Sequence, residues 1–343
     1  MSTCINFDQV FGIDTISKAV LPQLPNETAS SFRAVSTSII MSEIICNSPS
    51  SERVLDGISR MNYLHSGYRK AGKIINDDLM YILSRFALEP VQWAATHDWR
   101  PFTELEKCAV GVFWKDLGEK MEISYDCLPS SATGWKDGRY WLDELDVWSR
   151  EYELSTMAPS AANAKAAAVA THLAAFTFPT AILRKIARTS MSALLEPHQR
   201  HAMSLPSPSK LHVTIVNSVL ALRRFGYRHL ILPRPDFWRK RRVSEKPNKD
   251  GRYYDTSYNA YPWYIPPTPS WLLSPISWLQ WVAGGALPGN RIYEPQGYCI
   301  AELGPIRKKG KGLEWMQADK ERMRLRMRGK KEQSEDEKGC PLF

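Results

Sequence analysis

Apolar side chains recur at steps of three and four through most of the first two-thirds of the chain, the period of helices that bury one face. From about Phe7 to Ala95 this pattern predicts successive helices joined by short polar turns. Ser48 supplies an N-cap hydroxyl for one of them, and Pro49 sits at its first position, where a missing N–H does no harm. Val54, Ile58, Met61, Leu64, His65 and Tyr68 then form a single stripe, and Gly72 is the stop. The next helix opens at Asn76 or Asp77 and turns Leu79, Ile82, Leu83 and Phe86 inward. Its acidic pair, Asp77 and Asp78, complements the positive end of the helix dipole. Thr103 with Glu106 makes a capping box ahead of a helix carrying Cys108, Val112, Phe113 and Leu117. Another helix, Trp135 to Glu153, sets Trp141 and Trp148 on one face. Asn163 to Phe178 is alanine-rich and apolar, but Thr171, His172, Thr177 and Pro179 interrupt it. It falls short of the roughly 20 apolar residues a bilayer span requires, so it reads as a buried core helix with His172 facing the core. Ile182 to Ala202 and Leu211 to Phe225 continue the helical period on either side of Leu205-Pro206-Ser207-Pro208. No β-alternation and no internal repeat interrupts this picture. The fold class is mainly α.

Composition changes the picture after residue 235. Trp238 to Arg252 carries seven basic and two acidic residues, Tyr261 to Pro275 is rich in proline and aromatics, and Gly284 to Pro305 is punctuated by glycine. Such stretches oppose regular helix. Two regions result: a helical domain over 1–235, and a loop-rich, basic C-terminal extension over 236–343 packed on it. Arg307 to Lys331 has eleven basic and three acidic residues, against a net charge of +9 for all 343 residues. The positive excess is therefore local and the body is slightly acidic. Without interleaved stacking aromatics, the basic run does not make a nucleic-acid groove. It suits anionic lipid better, with Trp263, Trp271, Trp278 and Trp281 at the headgroup boundary. The last four residues, Cys340-Pro341-Leu342-Phe343, form a nominal prenylation box with an atypical proline. Six scattered cysteines, with no Cys-x-x-Cys-His, suggest neither a disulfide framework nor covalent haem.

His65 is the chemically interesting residue. An imidazole on an apolar stripe points inward and must find partners for its ring nitrogens. It is either a core histidine satisfied by a carbonyl or a proximal haem ligand, since neutral imidazole in an apolar wall is a common way to hold haem iron. His172 is the second candidate for that role, and His97 in its Asp-Trp-Arg turn reads as structural.

Several segments in order resemble the fungal mpaB oxygenase family, which is distantly related to bacterial rubber oxygenases. They are Asn62-Tyr63-Leu64-His65-Ser66-Gly67-Tyr68, Asn76-Asp77-Asp78-Leu79, Glu106-Lys107-Cys108-Ala109 through Phe113-Trp114-Lys115-Asp116-Leu117-Gly118, and Leu232-Pro233-Arg234-Pro235. The resemblance runs from about Phe7 to the C-terminus. It implies that His65 is the proximal ligand of a non-covalent haem b and that dioxygen binds opposite. It also implies a distal arginine followed four residues later by threonine, which Arg33 and Thr37 match on one helix face. Such a pair can bind a propionate, steer oxygen, or stabilise charge developing on it. Rubber oxygenases carry a lysine just before the threonine; this chain has Ser36, so no lysine base stands there.

The fold expected from the resemblance is a globin-like helical core. The expected function is oxidative cleavage, or another oxidation, of a carbon–carbon double bond in a prenyl, terpenoid or polyketide-derived substrate of secondary metabolism. The alternative is a non-catalytic, membrane-surface protein that holds haem or a pathway intermediate. Residues 1–11 show no signal peptide and the family's amino-terminal anchor is not evident, so the expected location is peripheral, on the cytosolic face of the endoplasmic reticulum or another internal membrane.

Overall fold

The computed structural model describes residues 9–338, apart from 177, 179, 233–234, 236–240, 257–260 and 283–292. Its described residues form helices and connecting loops without a β-strand; two isolated antiparallel bridges, Val243 with Asp255 and Tyr253 with Tyr298, are the only sheet-like pairings. A short helix α1 (Asp14–Val20) leads into the long helices α2 (Glu27–Cys46), α3 (Glu52–Lys70), α4 (Asn76–His97), α5 (Glu104–Lys120) and α6 (Gly138–Thr156). Then come α7 (Ala161–Ala174), α8 (Ala181–Leu194), α9 (Pro197–Ala202) and α10 (Lys210–His229). Two short helices, α11 (Pro269–Leu272) and α12 (Pro275–Val282), precede the C-terminal helix α13 (Leu313–Lys338).

Local chemistry explains most of the boundaries. Asn26, Ser51, Thr103, Asp137, Ser160, Thr180 and Ser209 each accept a hydrogen bond from a first-turn backbone N–H of the helix that follows. Thr103 and Glu106 form the expected reciprocal capping box. Gly72 stops α3 at φ +64°, a left-handed conformation that suits glycine. Two expected starts differ. Helix α3 is capped by Ser51, three residues beyond Ser48, because the Ser51 hydroxyl reaches the Val54 N–H. Asn76 does not cap α4: it is the first helical residue, and its side chain bonds both backbone groups of Ser124 across the body.

Helices α2 and α3 pack closely at Gly57, where an added Cβ would meet Ile44 at 3.2 Å. Helices α5 and α6 cross backbone to backbone at Gly111 and Gly138. One large core joins Phe32, Ile39, Ile58, Leu83 and Trp141 from the helices with Tyr261, Trp263, Tyr264, Tyr298, Leu303 and Met323 from the C-terminal segment. Glu43, fully buried on α2, is neutralised by Arg53 at 2.6 Å and accepts a hydrogen bond from the Tyr298 hydroxyl, which ties this segment to α2 and α3.

Two side chains stand elsewhere than the pattern suggested. Trp263 is a core residue whose indole N–H donates to Ser31, so it is not at a lipid boundary. His172 points out of the core toward Glu27, because α7 buries only the face carrying Asn163, Ala166, Ala167 and Thr171. The basic C-terminal helix packs on the body: Met316 and Met323 are buried, and Lys320, Arg322 and Arg324 pair with Asp56, Glu122 and Glu52. Arg234 and Cys340 lie outside the described residues.

Candidate active site

Helix α3 buries Val54 and Ile58 and then presents Met61, Leu64, His65 and Tyr68 to a mainly apolar cavity, whose empty volume is about 1500 Å³ with the open solvent at its mouth included. Helix α2 contributes Arg33, Thr37 and Met41, α4 contributes Asp78, Leu79, Ile82, Leu83 and Phe86, and α5 contributes Trp114 and Leu117. Phe11, Ile16, Val20 and Gln23 close it from the amino-terminal side. The loop 303–312 closes it on the His65 side with Gly304, Pro305 and Lys308. Gly304, at φ +107°, allows that approach, since a Cβ there would fall 2.7 Å from the Leu64 side chain.

Arg60, one turn before Leu64, holds this loop. It is fully buried, and its guanidinium donates to the carbonyls of Leu303 at 2.7 Å, Lys308 at 2.8 Å and Lys311 at 2.8 Å. Lys308 is thereby set against the cavity, where its ammonium donates to the Leu64 carbonyl at 3.3 Å.

The three residues singled out from sequence all face this one space. Among the described residues, nothing hydrogen-bonds the His65 ring, so the carbonyl partner expected of a core histidine is not there. Burial, then the positive charges of Arg33, Arg69 and Lys308, push its pKa down to about 4, so the imidazole is neutral at physiological pH and its lone pair is available. Arg33 donates through Nε to Gln23 at 3.0 Å and through a terminal nitrogen to the Thr37 hydroxyl. That hydroxyl donates back to the Arg33 carbonyl at 3.0 Å. No carboxylate among the described residues pairs with this half-buried guanidinium, and burial draws its pKa down. Ser36, at the place of the rubber-oxygenase lysine, is fully buried and adds no group to the cavity wall.

Sequence reasoning missed several lining groups. Asp78 is buried rather than a solvated dipole complement; it accepts hydrogen bonds from Thr15 at 2.9 Å and Tyr152 at 3.1 Å, and burial raises its pKa. Lys73 and Lys308 have no acidic partner among the described residues, whereas Arg85, also on the wall, pairs with Glu89 at 2.5 Å and Glu153 at 3.5 Å. The cavity is therefore mainly apolar with cationic groups on its wall, and Asp78 is the one lining carboxyl among the described residues. No sequence signal marks Lys308, which reaches the site through a loop more than 200 residues beyond His65.

These features define a helical protein built around a deep, mainly apolar small-molecule cavity with a few convergent polar groups. No family model matches the chain. It is 37% identical over 326 residues to the ER-bound oxygenase mpaB' of Penicillium brevicompactum, covering 94% of this chain and 77% of that protein. It is 36% identical over 284 residues to the ER-bound oxygenase mpaB of the same organism, covering 82% and 66%. With the Penicillium roqueforti mpaB the identity is 39% over 197 residues, covering 57% and 66%. The chain belongs to the mpaB oxygenase family and is an oxygenase. The reading as a non-catalytic carrier gives way to that result.

Proposed function

We propose that this oxygenase is haem-dependent, that His65 is the axial ligand of haem b, and that the reaction oxidises, by cleavage or otherwise, a carbon–carbon double bond in a prenyl, terpenoid or polyketide-derived substrate. The observation that carries the proposal is the His65 ring: neutral, without a hydrogen-bond partner among the described residues, and open to an apolar cavity. One imidazole is a sufficient protein donor for haem, because the porphyrin brings its own equatorial nitrogens. Haem supplies the activation of dioxygen. Lys73 and Lys308 would pair with its propionates, and neither has an acidic partner among the described residues. The Arg33 guanidinium, held in place by Gln23 and the Thr37 hydroxyl, is a preorganised donor for charge developing on oxygen. Ile82, Leu83, Phe86 and Trp114 exclude water and orient an apolar substrate.

The proposal includes a location: peripheral, on the cytosolic face of the endoplasmic reticulum or another internal membrane. It is supported by relatives named ER-bound and by a cavity whose apolar substrate would partition into lipid. No described helix is long and apolar enough to cross a membrane. The test is the absorption spectrum of the purified protein together with oxygen uptake on a prenylated aromatic substrate. A Soret band and alkene-dependent oxygen consumption are expected; turnover by protein free of haem would overturn the proposal.

A further inference from the structure

Helix α10 leaves an unusual surface uncovered. Leu211, Ile215, Val219, Leu222 and Phe225 recur at steps of three and four, so they share one side of the helix, and every one is more than half exposed, Leu211 at 71% and Leu222 at 72%. On the other side Leu220 is the helix's one buried residue. The helix is nevertheless fixed to the body. His212 meets Ser190 of α8 at 3.1 Å, and Arg223 donates to the His97 carbonyl at 3.1 Å and to Asp98 at 2.8 Å. Its neighbour α8 exposes Ile182, Leu183 and Ile186. A contiguous apolar stripe held in place but left open marks an interaction surface.

The surrounding charge decides which partner it fits. Between residues 181 and 232 there are eight lysines and arginines and one acid, Glu196, and neither α8 nor α10 contains an aspartate or glutamate. Lys185, Arg188 and Arg228 are exposed and in no ion pair among the described residues. A second copy seated on this stripe would set two strongly positive faces against each other. An anionic bilayer meets both demands at once, taking apolar side chains below the headgroups and basic ones among them. The basic helix α13 is a weaker candidate, because Lys320, Arg322 and Arg324 already pair with acids of the body.

We infer that the α8–α10 face is the surface by which this protein rests on an anionic membrane, with the α10 stripe in the headgroup plane. This rests on the membrane location proposed above. The test is flotation of the full chain with phosphatidylcholine–phosphatidylserine vesicles and with phosphatidylcholine alone. A triple variant, L211S/I215S/L222S, removes the stripe at exposed positions, and K185E/R188E reverses free charge beside it. Wild type is expected to float with the anionic vesicles only. Both variants should bind at least tenfold more weakly while thermal midpoint and helical content stay at wild-type values. A W278S/W281S variant should still float. If wild type floats and the stripe variant floats equally well, the face is wrong while the membrane location stands; loss of flotation on W278S/W281S alone means the same. Wild type that floats with neither vesicle sinks both. A wild-type dimer that the stripe variant converts to monomer assigns the face to a second copy and overturns the inference.

Discussion

At the scale of single residues, the cavity is governed by groups left without their usual partners. His65 could be placed on an inward face from spacing alone, but spacing says nothing of what fills the volume opposite, so its free ring nitrogens were not legible. Arg33 and Thr37 were legible as a pair through the family resemblance, which their spacing of four residues on one helix matches; that no acid among the described residues answers the guanidinium emerges only from the folded chain. Asp78 shows the opposite failure. In sequence it is one of two acids in a first turn, yet its hydroxyl partners Thr15 and Tyr152 come from 63 and 74 residues away. Arg33→Ala should retain haem but lose turnover by roughly 10²–10³, the usual effect of removing one preorganised donor at a developing anion, and Thr37→Ala, which removes the hydroxyl that holds the guanidinium, should retain haem and lose less turnover. Oxygen-uptake kinetics on haem-matched samples check this, and unchanged rates in both would assign the pair to packing.

Among elements, the helices were readable where period and cap agreed, as with Thr103, Glu106 and the run to Lys120. Less was readable where an element's role depends on contact across the fold. Loop 303–312 spans the end of the glycine-punctuated stretch and the start of the basic run, and Arg60 converts it into a wall of the cavity. Arg60→Met would leave three carbonyls without their charged donor. At about 1–3 kcal/mol for each orphaned buried group, partly relieved by water, a loss on the order of 3–5 kcal/mol is expected. The urea midpoint should fall accordingly, and Lys308 should no longer be held at the cavity. Gly111 offers a second check. A Cβ there would lie 1.8 Å from the Gly138 carbonyl oxygen, so Gly111→Ala must push α5 from α6. A loss of about 3 kcal/mol or more is expected, at the upper end of overpacking. A wild-type thermal midpoint for this variant would mean that the two helices do not cross there.

Across the whole molecule, the C-terminal segment binds the fold together rather than trailing from it. Composition marked residues beyond 235 as different, and their charges pointed outward to a partner. In the fold many of those charges are answered by the body, whose slight acidity was legible but whose pairing was not. Lys320 with Asp56 and Arg324 with Glu52 illustrate this, and within the extension Arg252 and Glu302 are linked at 2.5 Å. The Arg252 hydrogen bond holds the Glu302 carboxyl below its ordinary pKa. A carboxylate depressed in the folded state contributes stability above its unfolded pKa and loses it as pH falls through the folded value. Arg252→Gln should therefore be less stable than wild type at neutral pH, with the gap closing below the ordinary carboxylate range; a gap constant with pH would contradict this. The cavity likewise belongs to the whole chain, since five elements and the loop 303–312 wall it around a single imidazole. The most direct measurement of its role is haem content in His65→Ala, with and without added imidazole. The expected result is loss of the Soret band with helical content intact, and its return when free imidazole takes the vacated place. Haem retained at wild-type stoichiometry without imidazole would contradict the assignment.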